Sequence, residues 1–264
     1  MKSLHLIYFS PTGTTRKVLE AIGRGLAAEQ IERLDLTSRE TRAGGIREIK
    51  ADFAIIGTPV YTGRVPLYAV EALQSIRAEN IPAIVVVVYG NRAYEDALLE
   101  LTDTAKNAGF TPVAAASFVG EHSFSTDAAP IARGRPDRED LEEARAFGEM
   151  VRDRIGKGLS HHEDAPLEVP GNFPYRDRNP SPPPPHTDAG YCMKCGRCAD
   201  VCPTAAITLK DETVVTETTK CISCCACVKN CPSGARRVDP VLAERAKKIG
   251  AACSDRKKPE LFTL

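Results

Sequence analysis

The chain has 264 residues, which at ~150 residues per domain means about two domains, or one domain and a smaller module. Apolar residues make up 42% and charged residues 27%, an ordinary globular composition. Lys plus Arg is 35 and Asp plus Glu is 35, which argues against a nucleic-acid binder that works through bulk charge.

No apolar run approaches the ~18 residues of a membrane span; the longest, Ala83 to Tyr89, is strand-sized. Lys2 and a short apolar stretch broken at Ser10-Pro11-Thr12-Gly13 do not form a secretory signal, so a cytoplasmic chain starting at Met1 is expected.

Leu4 to Phe9 is the first strand candidate. Thr14 to Ala28 follows with helical period, placing Val18, Leu19, Ile22 and Leu26 on one face. Between them, Ser10-Pro11-Thr12-Gly13-Thr14-Thr15 opens the helix. Amide groups at a helix N-terminus, with hydroxyls beside them, make a phosphate cradle that needs no basic side chain. The Gly-Lys-Ser/Thr ending of a Walker loop is absent. Without a ligand, the same loop reads as a polar turn with an N-cap. Gly23-Arg24-Gly25-Leu26-Ala27-Ala28 spells G-x-G-x-x-A inside the helix rather than after a strand, so it fails as a dinucleotide fingerprint.

Ile31 to Leu36 is a second strand, Ala54 to Gly57 ends a third, Ile84 to Tyr89 is the fourth and Val113 to Val119 the fifth. Helical faces lie between the later strands. They are marked by Leu67, Val70 and Leu73, by Tyr94, Leu98, Leu101 and Ala105, and by Leu141, Ala144, Phe147 and Val151. Uniformly apolar strands separated by amphipathic helices predict a five-stranded parallel sheet covered on both faces, a doubly wound α/β domain over 1–157. Asp137 to Glu143 reads as the solvated start of the last helix.

Two more loops follow strand ends: Thr58-Pro59-Val60-Tyr61-Thr62-Gly63-Arg64 and Gly90-Asn91-Arg92-Ala93-Tyr94. Together with the Ser10–Thr15 loop they resemble the flavin-binding loops of flavodoxins. That resemblance implies a flavodoxin-like fold and bound FMN. It implies phosphate on Ser10, Thr12, Gly13, Thr14 and Thr15, and the isoalloxazine beside Pro59, Tyr61, Thr62, Gly63, Gly90, Asn91 and Tyr94. Tyr94 matches the ring-stacking tyrosine, and Gly120 to Phe124, with His122, could edge the flavin. The chain has no tryptophan, so Tyr61 would take that stacking role, and Asn91 replaces the usual loop acid. With Arg92 and Arg64 close in sequence, the fully reduced, anionic flavin is expected to form more easily than in acidic flavodoxins.

From 158 to 187 periodicity stops. Pro166, Pro170, Pro174, Pro180 and Pro182 to Pro185 predict a semi-rigid, polyproline-like linker, with His161, His162 and His186 as solvated residues.

Nine of the ten cysteines lie between Cys192 and Cys231, and in a reducing compartment such a cluster reads as metal ligation. Cys192, Cys195, Cys198 and Cys202 form C-x2-C-x2-C-x3-C followed by Pro203, and Cys221, Cys224, Cys227 and Cys231 repeat it before Pro232. Every counterpart is offset by 29, which marks an internal repeat. Structural zinc favours paired hooks with longer gaps, so a doubled three-plus-one run is poor zinc spacing. Residues 188–239 closely resemble bacterial two-cluster ferredoxins, a small α+β module placed here at 188–240. The resemblance implies two 4Fe–4S clusters. The fourth cysteine of each run crosses over, giving Cys192, Cys195, Cys198 and Cys231 for one and Cys221, Cys224, Cys227 and Cys202 for the other. Cys225 and Cys253 read as spare thiols, and 241–264 as a C-terminal helix and basic tail.

The whole chain is similar to flavodoxin–ferredoxin fusions. That implies electron transfer between FMN and two clusters, coupling two-electron and one-electron carriers, with redox proteins as donor and acceptor. Tyr61, Asn91, Tyr94 and His122 would lie nearest the route. A flavin-dependent reductase of quinones or NAD(P)H, wired by the clusters, is the alternative. A non-redox binding protein using Arg236, Arg237, Lys247, Lys248, Lys257 and Lys258 as a basic patch is a third reading.

Overall fold

The structure is a computed structural model that describes residues 1–157 and 167–264. His161, His162 and Pro166 lie outside the described residues. The first half contains β1 (Ser3–Tyr8), α1 (Thr14–Leu26), β2 (Gln30–Asp35), α2 (Arg39–Ala43), β3 (Arg47–Glu48) and β4 (Phe53–Pro59). It continues through α3 (Leu67–Gln74), β5 (Ile76–Arg77), β6 (Ile81–Tyr89), α4 (Ala97–Asn107), β7 (Phe110–Val119) and α5 (Arg138–Gly156). The second half contains β8 (His186–Thr187), α6 (Arg197–Asp200), β9 (Ile207–Lys210) and β10 (Thr213–Thr216). It ends with α7 (Ala226–Lys229), β11 (Arg236–Arg237), α8 (Pro240–Ala252) and β12 (Glu260–Thr263).

The main sheet runs β12-β7-β6-β4-β1-β2. Its five N-terminal strands are parallel, in the doubly wound order of the flavodoxin-like fold. Alternation along each strand divides the core. Ile7, Ile56, Val85 and Val87 pack toward α3 and α4, whereas Leu6, Ile55, Ile84 and Val86 pack toward α1 and α5. Burial on both faces is why β4 and β6 are apolar throughout.

The glycines of the rejected dinucleotide motif have a packing role. A Cβ on Gly25 would lie 2.0 Å from the Arg145 carbonyl oxygen, and one on Gly148 would lie 2.1 Å from that of Ile22. Helices α1 and α5 therefore meet backbone to backbone.

The chain end departs from a free tail. Strand β12 pairs antiparallel with β7, Leu261 against Ala116 and Phe262 against Ala115, and adds a sixth strand. Its approach is fixed by charges read separately as solvated. Arg256 pairs with Asp137 at 2.7 Å, and Lys258 bridges Glu139 at 2.6 Å and Glu143 at 2.8 Å. The proline-rich stretch is not a free spacer either. Leu167 enters the α3–α4 core, Asn172 and the Arg176 amide donate to Asp96, and Arg178 donates to the Val65 carbonyl at 2.6 Å.

The cysteine repeat is visible in the backbone. Left-handed φ values recur at the 29-residue offset: Lys194 (55°) and Ser223 (50°), Gly196 (76°) and Cys225 (58°), Ala205 (52°) and Gly234 (66°). Cys225 thus stands where the first half has the glycine that caps α6. Helix α8, capped by Asp239 accepting from the Val241 amide, packs Leu242 and Ala246 with Phe124, Ile131 and Cys225. That small core joins the loop after β7 to the cysteine module.

Candidate functional site

Helix α1 begins at Gly13, whose φ of 82° turns the chain without a side-chain cap. The hydroxyl of Ser10 accepts from the Arg16 amide at 3.1 Å, and no acidic residue occupies the first turn. The Thr15 hydroxyl is fully buried and has no partner, and neither has that of Thr58 at the end of β4. Open amides and an orphaned buried hydroxyl suit an anion here.

Beside this loop, at the C-terminal ends of β4, β6 and β7, lies a crevice of about 900 Å3, counting the part open to solvent. Thr12, Thr14, Pro59, Tyr61, Thr62, Gly63 and Gly90 line it. Ser10 and Gly13 face an adjoining crevice that shares Thr12 and reaches Cys202 and Pro203. The far wall of the main crevice comes from the second half of the chain: Pro182, Ile222, Ser223, Arg245 and Ile249. Ile222 and Ser223 lie between Cys221 and Cys224 in the chain, and the Ser223 hydroxyl donates to the Pro182 carbonyl at 2.8 Å.

Two expected flavin contacts turn elsewhere. The Asn91 amide donates to the carbonyls of Cys253 and Asp255, at 2.7 and 2.8 Å. Tyr94 is buried, packs edge-on against Tyr89 and donates its hydroxyl to Glu260 at 2.8 Å. Both hold the C-terminal segment, and the Tyr94 hydroxyl pins β12. Sequence spacing cannot show this, because the partner lies 166 residues away.

The electrostatics also shift. Arg64 is committed to Glu100 at 2.8 Å and stacks on Tyr175, so it does not serve the crevice. Arg92 does line it, with its guanidinium also paired to Glu95 at 2.8 Å, and is joined by Arg245 of α8, which no sequence motif marks. His122 feels both. Burial first, then Arg245, Arg92 and Lys229, push its pKa down to about 4, so the ring is neutral at pH 7. Its Nδ1 accepts from the Phe124 amide at 3.0 Å, which leaves the proton on Nε2 as a donor. Gly90 makes room for this ring, since a Cβ there would lie 2.3 Å from it.

Tyr61 borders both halves. Burial holds its phenol well above the usual range, and Cys224 and Cys225 act in the same direction. Burial likewise raises the Cys224 thiol, with Cys225, Cys227 and Cys202 as sulfur neighbours. Cys202 shares one buried cluster with Cys227 and Cys221 of the second run and with Cys198 of its own. At Cys231 burial opposes ionisation, but the Arg236 amide, the Ser233 hydroxyl and amide and the Ala235 amide outweigh it and lower the pKa. None of the ten cysteines forms a disulfide. Loops with left-handed residues turn successive amides inward, and such nests suit an anionic cluster.

Residues 191–235 match a family model described as a 4Fe-4S dicluster domain. The chain joins an α/β domain of flavodoxin-like strand order to a segment that matches a 4Fe-4S dicluster domain. No curated protein matches it. Among solved structures, Fusobacterium nucleatum flavodoxin bound to flavin mononucleotide aligns at 15% identity and TM-score 0.39, covering 59% of this chain and 99% of that one. A WrbA-like flavodoxin from Agrobacterium tumefaciens aligns at 17% identity and TM-score 0.36, covering 60% and 99%. Rubredoxin oxygen:oxidoreductase from Desulfovibrio gigas aligns at 15% identity and TM-score 0.42, covering 61% of this chain and 37% of that protein. Among the described residues no helix is long and apolar enough to cross a membrane.

Proposed function

We propose that the protein transfers electrons between FMN, held in the crevice, and two 4Fe–4S clusters, held by the dicluster domain, and so couples two-electron to one-electron carriers. The observation that carries this reading is the shared wall. Ile222 and Ser223, inside a cysteine run, close the same crevice that Tyr61 and Gly90 open from the sheet.

The residues fit both groups. The α1 N-terminus with Thr12, Thr14 and Thr15 would take the phosphate, and Thr58 offers a second unpartnered hydroxyl. Pro59 to Gly63 and Gly90 would border the ring, with Tyr61 between it and Cys224. The buried cluster of Cys202 with Cys221 and Cys227 supports Cys202 completing the set of Cys221, Cys224 and Cys227, leaving Cys231 to Cys192, Cys195 and Cys198. When bound, flavin accepts two electrons and releases them singly, while each cluster carries one. The chain's own part is to exclude water with Ile222, Ile249 and Phe124, to hold a neutral donor at His122 Nε2, and to set positive charge at Arg92 and Arg245. Interfacial packing around α8 keeps the two halves together, so that electrons need not wait for a linker to swing.

A second groove shares Tyr61, Thr62, Pro182 and Ile222 with the crevice and adds Tyr68, Arg178 and Lys220. It favours small-molecule access to the ring edge and so keeps the reductase reading alive. Anaerobic purification should yield about eight iron, about eight sulfide and one flavin per chain. Rapid mixing should then show the flavin spectrum changing after the clusters are reduced. Zinc in place of iron, absence of flavin, or clusters that never exchange electrons with it would overturn the proposal. Direct bleaching by NAD(P)H would favour the reductase.

A further inference from the structure

Arg236 stands five residues after Cys231, where Ile207 stands five residues after Cys202, at the same offset of 29. Ile207 is buried among Cys198, Cys202 and Cys227. Arg236 is also buried, only 3% exposed. One half of the repeat therefore places a cation where the other places an aliphatic side chain.

That cation has no carboxylate partner among the described residues. Its Nη1 donates to the Thr187 hydroxyl at 2.8 Å, its Nη2 points to Cys227 Sγ at 3.6 Å, and its Nε has no partner. The adjacent Arg237 takes Asp188 instead, at 3.2 Å. A buried charge left uncompensated is strongly unfavourable. The remaining candidates for its counter-charge are the cysteine sulfurs and what they hold. The backbone amide of the same residue acts on Cys231, so Arg236 touches both ligand sets unequally: a neutral amide for one, a charged guanidinium for the other.

The geometry points to Arg236 as the residue that makes the two clusters inequivalent, raising the reduction potential of the one held by Cys221, Cys224, Cys227 and Cys202, beside the crevice. The inference rests on the ligand sets proposed above. The step is a one-electron transfer in which an external donor loses an electron and the cluster gains it, with no bond made or broken. The extra negative charge is stabilised by a fixed cation and by hydrogen bonding to a ligating sulfur. The Arg236 charge also reaches Cys198, but the direct contact is to Cys227, so the larger rise falls there. An electron shared by the pair would rest next to the flavin.

The test compares full-length wild type, R236Q and R237Q, purified anaerobically, by iron count and EPR redox titration. Wild type should hold about eight irons and show two signals of different potential. In R236Q the higher potential should fall toward the lower by about tenfold in electron partition, or about 59 mV for one electron. R237Q, altered at an exposed site, should leave both unchanged. Eight irons with unmoved potentials in R236Q overturn the role of the arginine alone. Iron well below eight in wild type overturns the two-cluster reading and this inference with it. Should R236Q not retain iron, wild type carrying 15N at its arginine guanidinium nitrogens decides. A hyperfine coupling on the higher-potential signal supports the inference, and its absence overturns it.

Discussion

Replacing Tyr94 by Phe separates the two roles a tyrosine at this loop can have. In the structure its ring is core and its hydroxyl serves Glu260 on β12. Tyr94→Phe keeps the ring and removes one hydrogen bond to an exposed carboxylate, which can return to water. The cost then lies at the low end of a charged hydrogen bond, about 1 kcal/mol. Because the partner lies on an edge strand, the loss should appear first as local opening rather than global unfolding. About 1 kcal/mol raises the opening equilibrium of β12 about fivefold, since RT is about 0.6 kcal/mol. Hydrogen exchange at the amides of Leu261 to Thr263 reads this directly, with Val85 to Val87 of β6 as the unaffected reference. Glu260→Gln should give a similar change, and the double variant little more, because the two groups act as one pair. Flavin affinity and the flavin spectrum should stay as in wild type. Unchanged exchange together with weakened flavin binding would refute the pin and restore the stacking role.

Gly25→Ala should destabilise the α/β domain by about 2–3 kcal/mol in urea unfolding, because its Cβ meets the α5 backbone and no rotamer relieves the clash. Arg245→Gln, and to a smaller extent Arg92→Gln, whose charge Glu95 partly offsets, should make full reduction of the flavin harder. The shift should be up to about tenfold, or about 30 mV for a two-electron couple, by spectroelectrochemical titration. Arg64→Gln should leave that couple unmoved, since its guanidinium is held by Glu100 and Tyr175 outside the crevice. His122 should show flat ring NMR resonances between pH 5 and 8. Its folded pKa, about 4, lies below the unfolded value of about 6.5. Its contribution to stability is therefore full above about pH 6.5 and lost as pH falls toward about 4, and His122→Gln should remove that part of the acid slope.

Elements whose cause is local could be read along the chain. Uniformly apolar strands such as Ile84 to Tyr89 can be satisfied only inside a sheet covered on both faces, and the order of strands and helices leads to the doubly wound topology. The cysteine spacing was legible because ligand chemistry acts over a few residues, and its repeat reappears as paired left-handed backbone positions. The strand-to-helix turn at Ser10 to Thr15 was legible for the same reason.

Features that depend on partners distant in the chain emerged only once the chain was folded. The basic tail and the acidic start of α5 each look solvated alone, yet Arg256 and Lys258 seat themselves on Asp137, Glu139 and Glu143. Asn91 and Tyr94 carry a loop pattern that suits a flavin, yet the Asn91 Nδ2 and the Tyr94 hydroxyl are taken by residues more than 160 positions later. Arg245 joins the crevice only because α8 packs across the loop after β7. Charge pairing and burial are properties of position in space, and spacing along a chain carries no record of which distant group will neutralise a given one.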